Sequence, residues 1–239
     1  QKDGVIKASR FESCLIADQM GLGKTSMSIS SVEKLNAYPC LVVCPSSIKL
    51  NWKKEIDMWV NRSSIVLNGN KEADTYDSEF IIINYDILNG HLKKLKSLNF
   101  KSMILDESQA LKNPKTIRTK SIKKLSSDIP YKFALSGTPI LNRPNELISV
   151  LTILDRLDHF GGFWTFAKRY CGAVETEFGW SIKDAINLDE LNSKLLNICM
   201  IRRLKKDVLQ ELPDKQRTYI PIELDNIKEY NVAKKDFSN

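Results

Sequence analysis

Histidine is scarce: the 239 residues contain only His91 and His159, and neither has a neighbour in sequence that would give it a catalytic or ligand role. The five cysteines, Cys14, Cys40, Cys44, Cys171 and Cys199, are odd in number and include no CxxC pair. That pattern gives no sign of a disulfide framework or a zinc site and points to a reducing compartment. Cys40 and Cys44 flank a short apolar run, where they would share a strand face but stand too far apart to share a metal; they read as small buried hydrophobes. No apolar run approaches the ~20 residues needed to span a bilayer, and no basic-then-apolar leader is present, so no membrane partner is expected. Internal repeats and low-complexity segments are also lacking.

What is present is a core-forming composition, 42% hydrophobic, with a net charge of +7. A chain of this length can bury one large domain with an appended module. Excess Lys and Arg suits a polyanionic partner, since they displace counterions from a phosphate backbone. Charge alone reads equally as a solubilising surface.

Between residues 13 and 154 short apolar runs alternate with longer amphipathic stretches: CLIA at 14–17, LVVC at 41–44, FIIIN at 80–84, MILDE at 103–107 and FALS at 133–136. This is the pattern of a doubly wound α/β domain. The runs are almost continuously apolar, as parallel strands covered on both faces require. Ligands in such sheets collect at the carboxyl ends of the strands, so functional motifs should follow them. From Asp155 strand-like runs vanish, and helical stretches rich in Leu, Lys and Arg continue to Pro213, which predicts a helical insertion over 155–213. TYIPIEL at 218–224 predicts a returning strand, within a last segment of 214–239.

The first run leads into Asp18-Gln19-Met20-Gly21-Leu22-Gly23-Lys24-Thr25 and then an amphipathic stretch to about Asn36. This is the strand-loop-helix context of a phosphate-binding loop. Gly21 and Gly23 allow the backbone to approach phosphates, Lys24 reaches the β- and γ-phosphates, and Thr25 is placed to ligate magnesium. Asp18 stands where the general pattern has glycine. Asp106 and Glu107 close the run beginning at Met103. Beside a phosphate loop, the Asp suits the magnesium shell and the Glu suits orientation and deprotonation of a water attacking the γ-phosphate.

Leu135-Ser136-Gly137-Thr138-Pro139 completes a set that, with DQMGLGKT and DESQ, resembles the superfamily-two helicases and the Swi/Snf-type ATPases in particular. Gln1 with Gly4-Val5 resembles the adenine-recognising Q motif of that family. Cys44-Pro45-Ser46-Ser47 with Trp52, Asn84-Tyr85 and Lys112-Asn113 resemble further family segments. Phe163, Phe166, Arg169-Tyr170-Cys171, the run from Arg202 through Leu209, and Glu211-Leu212-Pro213 resemble its helical protrusion. Asn142-Arg143-Pro144 and Glu146-Leu147 are most like the annealing-helicase (HARP-like) branch.

The resemblance implies a RecA-like P-loop NTPase lobe over 1–154 with a mainly parallel sheet, the protrusion over 155–213, and 214–239 leading toward a second RecA-like lobe. Its cofactors would be ATP and magnesium. Gln1, Met20, Gly21, Leu22, Gly23, Lys24, Thr25 and Ser26 would bind the nucleotide, Thr25 and Asp106 the metal, and Lys24, Asp106 and Glu107 would carry hydrolysis. Gln109, Ser136, Gly137 and Thr138 would couple hydrolysis to movement. Duplex DNA, held by its backbone without sequence preference, would meet Ser46, Ser47, Lys49, Asn84, Lys112, Asn113 and Thr138. Ser46, Ser47 and Asn113 read equally as helix caps or solvated-loop residues.

Lys93, Lys94 and Lys96, and likewise Lys123 and Lys124, read as solvated helix faces, and Arg202-Arg203 as packing between protrusion and lobe. Two departures stand out: Gln19 where the family commonly has an acid, and Gln109 where it has His. Without a second lobe to supply arginine fingers, typically worth ~10³ to 10⁵ in rate, the lobe is expected to bind nucleotide and hydrolyse almost none. The alternative function is a non-catalytic, nucleotide-gated DNA-binding module. The compartment would be the nucleus in a eukaryote and the cytoplasm in a microbe or phage.

Overall fold

The computed structural model describes residues 1–69, 75–137, 143–177, 179–182 and 184–208. The elements follow one another as α1 (Lys2–Phe11), β1 (Ser13–Ile16), α2 (Lys24–Leu35), β2 (Cys40–Cys44), α3 (Lys49–Trp59), β3 (Ser64–Val66), β4 (Phe80–Asn84), α4 (Leu88–Lys96) and β5 (Ser102–Leu105). Then come α5 (Ile117–Ser126), β6 (Tyr131–Leu135), α6 (Pro144–Ile153), α7 (Gly162–Tyr170), β7 (Val174–Thr176), β8 (Gly179–Ser181), α8 (Leu188–Ile198), β9 (Met200–Ile201) and α9 (Lys205–Val208).

Among the described residues seven strands form one sheet in the order β3-β4-β2-β5-β6-β1-β9, and every pairing there is parallel. β1, β2, β4, β5 and β6 are each followed by a helix before the next strand, which carries the chain back to the starting edge and keeps the strands parallel. Alternation of side chains then divides the core. On β2, Cys40, Val42 and Cys44 face one side, packed with Met27, Ile29 and Val32 of α2 and with Trp52 and Ile56 of α3. Leu41 and Val43 face the other, against Leu88 and Leu95 of α4 and Ile122 and Leu125 of α5. Each such side chain contributes roughly 1.5–3 kcal/mol when fully buried. A third cluster joins Leu15 and Met200 of the sheet to α6, α7 and α8 through Val150, Leu151, Phe166, Tyr170, Leu191 and Leu195.

All five cysteines lie buried as free thiols, and burial pushes the Cys40 thiol up to about 12. They behave as small core residues. His91 is buried as well, with Nδ1 2.9 Å from the Tyr76 hydroxyl and Nε2 2.9 Å from the Gly69 carbonyl oxygen.

Three strand features depart from the sequence expectation. β3 was not foreseen, nor was the antiparallel β7-β8 hairpin. The stretch after Asp155, expected to be free of strands, also returns to the main sheet: Met200 and Ile201 of β9 pair with Leu15 and Ile16 of β1. Here β9 sits at the sheet edge beside the strand that feeds the phosphate loop. The strand predicted over 218–224 and the Glu211-Leu212-Pro213 segment lie outside the described residues.

Close approach between α1 and α2 depends on Gly4. A Cβ there would stand 2.2 Å from the Met27 sulfur and 3.2 Å from the Arg203 guanidinium, so a side chain would part the two helices.

Candidate functional site

β1 ends at Ile16, and the chain turns through Asp18–Gly23 before α2 begins, so the loop sits at the carboxyl edge of the sheet, next to β6 and β9. Leu22 N–H donates to the Gln19 carbonyl at 3.3 Å, closing the turn. Gly21 and Gly23 take φ of 82° and 79°, left-handed conformations that cost a side-chain-bearing residue about 1–2 kcal/mol. Gly23 also needs its bare Cα for space: a Cβ would stand 2.2 Å from Nε2 of Gln1, whose carboxamide rests on the loop. Gly23 caps α2, whose unpaired first N–H groups make a ready anion site. Ser26 is buried and its hydroxyl donates to the Gly23 carbonyl at 3.1 Å. Thr25 follows Lys24 at the half-buried start of the helix, and Met20 is exposed on the loop while Leu22 is buried beneath it. Lys24 Nζ donates to the Asp18 carbonyl at 3.0 Å, which folds the lysine back across the loop.

Asp18, the residue in place of the usual glycine, is completely buried. Its carboxylate accepts the Arg203 backbone N–H at 2.8 Å and the Arg203 guanidinium through Nε and Nη2. In return Gln19 N–H donates to the Arg203 carbonyl at 3.1 Å, and Lys205 N–H donates to Gln19 Oε1 at 2.7 Å. Both unusual loop residues, Asp18 and Gln19, therefore hold the segment that follows β9. Arg203 does pack against the lobe, and its partner is the root of the phosphate loop.

The acidic pair stands at the carboxyl end of β5. Asp106 Oδ2 accepts the Trp52 indole N–H at 2.8 Å, and Oδ1 accepts the Glu107 N–H at 2.9 Å. Tyr85, directly after β4, supports the same residue, its hydroxyl donating to the Asp106 carbonyl at 2.7 Å. Burial raises the Asp106 carboxyl above the ordinary range, while the Trp52 and Glu107 hydrogen bonds and the nearby Lys24 charge work against that. Glu107 adopts φ 48°, ψ 52°, a left-handed backbone on a residue with a side chain. Such conformations cost about 1–3 kcal/mol and concentrate at functional sites. Gln109 Nε2 donates to Glu107 Oε2, and Ser136 Oγ donates to Gln109 Oε1 at 3.1 Å. The carboxamide thus links the acidic pair to the loop after β6. Gly137 in that loop abuts the phosphate loop: a Cβ would lie 2.9 Å from Met20 Cγ and 3.8 Å from Lys24 Nζ.

The donor chemistry fits magnesium. Thr25 offers a hydroxyl, Asp106 an anchored carboxylate, and magnesium takes one or two protein oxygens together with phosphate oxygens.

The residues expected on DNA divide. Ser46 and Ser47 are exposed in a short 3-10 turn after β2. Lys112 and Asn113 are exposed after the turn that follows β5; Lys112 Nζ lies 3.4 Å from Glu146 Oε1, and Asn113 Oδ1 accepts the Lys115 N–H at 2.9 Å. Asn84 is buried at the end of β4. All five lie at the carboxyl edge, where the phosphate loop is. Lys49 requires correction: it is buried, and its ammonium donates to the Leu67 carbonyl at 2.8 Å and to Asn68 Oδ1 at 2.7 Å. Its charge is held inside, where it fastens the chain after β3. Thr138 and Asn142 lie outside the described residues. The lysines at 93, 94 and 96 in α4 and at 123 and 124 in α5 are exposed.

A cavity of about 840 Å³ lined by Tyr38, Glu79 and Lys94 opens at the amino ends of β2 and β4. That is the edge opposite the motifs, and none of them lines it. The contacts missed from sequence are Trp52 and Tyr85 on Asp106, and Arg203 and Lys205 on the phosphate loop. All four stood within segments recognised in the sequence, but nothing local indicated their partners.

The SNF2-related domain model matches residues 6–237. The SWI/SNF-related matrix-associated actin-dependent regulator of chromatin subfamily A-like protein 1 of Xenopus laevis is 38% identical over 230 residues, covering 93% of this chain and 23% of that protein. The human DNA annealing helicase and endonuclease ZRANB3 is 36% identical over 250 residues, covering 98% of this chain and 23% of that protein. Among solved structures, the Sulfolobus solfataricus SWI2/SNF2 ATPase core in complex with dsDNA aligns with a TM-score of 0.72 at 28% identity, over 88% of this chain and 45% of that one. The chain thus spans less than a quarter of the length of these two relatives.

Proposed function

The chain belongs to the SNF2-related family, and on that premise we propose that it is the nucleotide-binding RecA-like lobe of an ATP-driven translocase on double-stranded DNA, one that remodels or reanneals DNA or protein-DNA complexes. The observation that carries the reading is the hydrogen-bonded chain from Ser136 through Gln109 to Glu107, beside a loop bearing Lys24. It connects the group suited to water activation with the loop that abuts the phosphate site.

In this reading Gln1 contacts the adenine, the Gly21–Ser26 backbone and Lys24 hold the phosphates, and Thr25 and Asp106 hold magnesium. The metal supplies charge neutralisation on the β- and γ-phosphates. Glu107 orients a water and takes its proton, and its left-handed backbone, pinned by the Asp106 carboxylate, sets where its side chain points. Ser46, Ser47, Asn84, Lys112, Asn113 and Thr138 track one strand of the duplex through its phosphates. Partners are duplex DNA and a second RecA-like lobe, which supplies arginine fingers; this lobe by itself is nearly inactive. Residues 1–154 form the lobe proper and 155–213 the protrusion, with β9 returning to the sheet from within it. A nuclear location fits the eukaryotic relatives; a microbial or phage source would place it in the cytoplasm.

The test is DNA-stimulated hydrolysis by a protein containing both lobes. Glu107→Gln should keep ATP and DNA affinity and lose turnover; turnover near the wild-type rate removes Glu107 from the water-activating role. One observation favours a second reading, a non-catalytic nucleotide-gated DNA-binding module: the Gln109 carboxamide occupies Glu107 Oε2. Nucleotide-dependent DNA binding without any hydrolysis would establish that reading instead.

A further inference from the structure

The loop already holds one ammonium, that of Lys24, and a second approaches it from a segment distant in sequence. Lys205 opens α9 after β9, and its Nζ lies 3.4 Å, and its Cε 3.5 Å, from the point where a Cβ on Gly21 would sit. Among the described residues this ammonium makes no hydrogen bond and no ion pair. Its backbone does not drift: Lys205 N–H is fixed on Gln19 Oε1 at 2.7 Å, and two residues earlier Arg203 is fixed on Asp18 by backbone and guanidinium.

A lysine at this place is electrostatically unfavourable unless an anion arrives. The start of α2 carries the positive end of the helix dipole, and Lys24 adds a full charge next to it. The sequence brings a further cation to the same loop and gives it no carboxylate partner among the described residues. Phosphate oxygens at the loop would satisfy all three, since charge-assisted N–H to O⁻ hydrogen bonds are about twice as strong as neutral ones.

We propose that Lys205 is a nucleotide-binding residue that contacts the phosphate chain of the bound nucleotide. This rests on the phosphate-loop reading above and extends it to a residue 184 positions from Gly21. Because Arg203 and Lys205 are bonded to Asp18 and Gln19, the contact also ties nucleotide occupancy to the segment at 203–208.

The experiment is titration of this chain with adenosine, ADP and a non-hydrolysable ATP analogue, comparing wild type, Lys205→Ala, Lys205→Arg and, as control, Lys24→Ala. Lys205→Ala should weaken ADP and the analogue by roughly tenfold or more, as expected for loss of one charge-assisted contact. It should leave adenosine affinity unchanged and reduce the salt dependence of ADP binding. Lys205→Arg should recover most of the loss. Wild-type ADP affinity in Lys205→Ala overturns the proposal, and so does an equal loss for adenosine and ADP, which marks a structural role. If Lys24→Ala also binds like wild type, the phosphate-loop reading itself fails; if only Lys24→Ala is impaired, the loop stands and Lys205 alone is discarded.

Discussion

The fully buried Asp18 carboxylate faces the Arg203 guanidinium across 185 positions of sequence, joining the first residue of the phosphate loop to the stretch after β9. Asp18 also accepts the Arg203 backbone N–H, so the pair fixes main chain as well as side chain. An Asp at this point of the loop is therefore a structural anchor, and Lys24, bonded to the Asp18 carbonyl, sits one step from it.

Removing Arg203 should leave a buried charge without its counterion. Breaking one side of such a pair typically costs about 3–5 kcal/mol. Arg203→Met should lower the denaturant midpoint by an amount of that order. Asp18→Asn combined with Arg203→Met should recover part of the loss, because the stranded charge is gone. Equal stability of wild type and Arg203→Met would mean that solvent, reaching a side chain that is 23% exposed, replaces the carboxylate without penalty.

How much of this was legible in sequence depended on whether the information was local. The five long strands showed because each carries a run of three to five apolar residues covered on both faces. β3 did not, because Ser64, Ile65 and Val66 are only half-buried at the sheet edge and three residues display no period. β9 is two residues long, and its pairing of Met200 with Leu15 exists only once the chain has travelled through α6, α7 and α8. The site divides in the same way. Gly21 to Thr25 and Asp106-Glu107 carry their chemistry in adjacent residues. Lys49 misled because a lysine beside a motif looks solvated, whereas the fold places Leu67 and Asn68 over its ammonium.

Trp52 should matter through one hydrogen bond. Its indole N–H holds Asp106 Oδ2 at 2.8 Å, which fixes the carboxylate proposed to face magnesium. Trp52→Phe keeps much of the packing and deletes the donor, a change worth about 1–3 kcal/mol where the acceptor is charged. The expected outcome is a folded protein in which magnesium no longer strengthens ATP binding to the wild-type extent. Titration of ATP with and without magnesium measures this, and an unchanged magnesium effect would leave the indole with a packing role alone.

Lys24→Ala should abolish ATP binding and leave the fold intact. Among the described residues its ammonium bonds the Asp18 carbonyl at 3.0 Å, at a partly exposed position. Loss of a charged contact to phosphate predicts at least roughly tenfold weaker binding. Nucleotide titration alongside a denaturation curve decides it, and equal affinities would remove the loop from the phosphate site.

A carboxylate brace joins α7 to α8. Glu190 of α8 accepts Arg169 Nε and Nη2 of α7 at 2.7 Å each and the Tyr170 hydroxyl at 2.6 Å. The Arg169 and Tyr170 hydrogen bonds hold its carboxyl at about 2, below the ordinary 4.5. For a depressed acid the stabilisation is fully present above the unfolded value and is lost as pH falls toward the folded one. The difference in denaturant midpoint between wild type and Glu190→Gln should therefore be greatest near about pH 6 and shrink by about pH 3.5. A gap that widens on acidification would mean that Glu190 stabilises through something other than its charge.

Lys49 and Lys112 offer a paired test of where the DNA runs, because the fold gives these two lysines opposite surroundings. Lys112 is exposed at the carboxyl edge of the sheet, and its ion pair with Glu146 at 3.4 Å is solvent-screened and weak, so its charge is available to phosphate. Lys112→Ala should weaken duplex binding alike for unrelated sequences and flatten the salt dependence, whose slope is ~0.9 per phosphate neutralised. Lys49→Ala should do neither directly. It should instead destabilise the lobe by about 1–3 kcal/mol, because the Leu67 carbonyl and Asn68 Oδ1 lose their donor inside the protein. Salt-dependent DNA titrations and denaturation curves on both variants separate the outcomes. A Lys49→Ala protein of wild-type stability but flattened salt slope would show that its ammonium leaves Leu67 for DNA. Unchanged affinity in Lys112→Ala would move the duplex away from Lys112, toward the exposed Lys206 that follows β9.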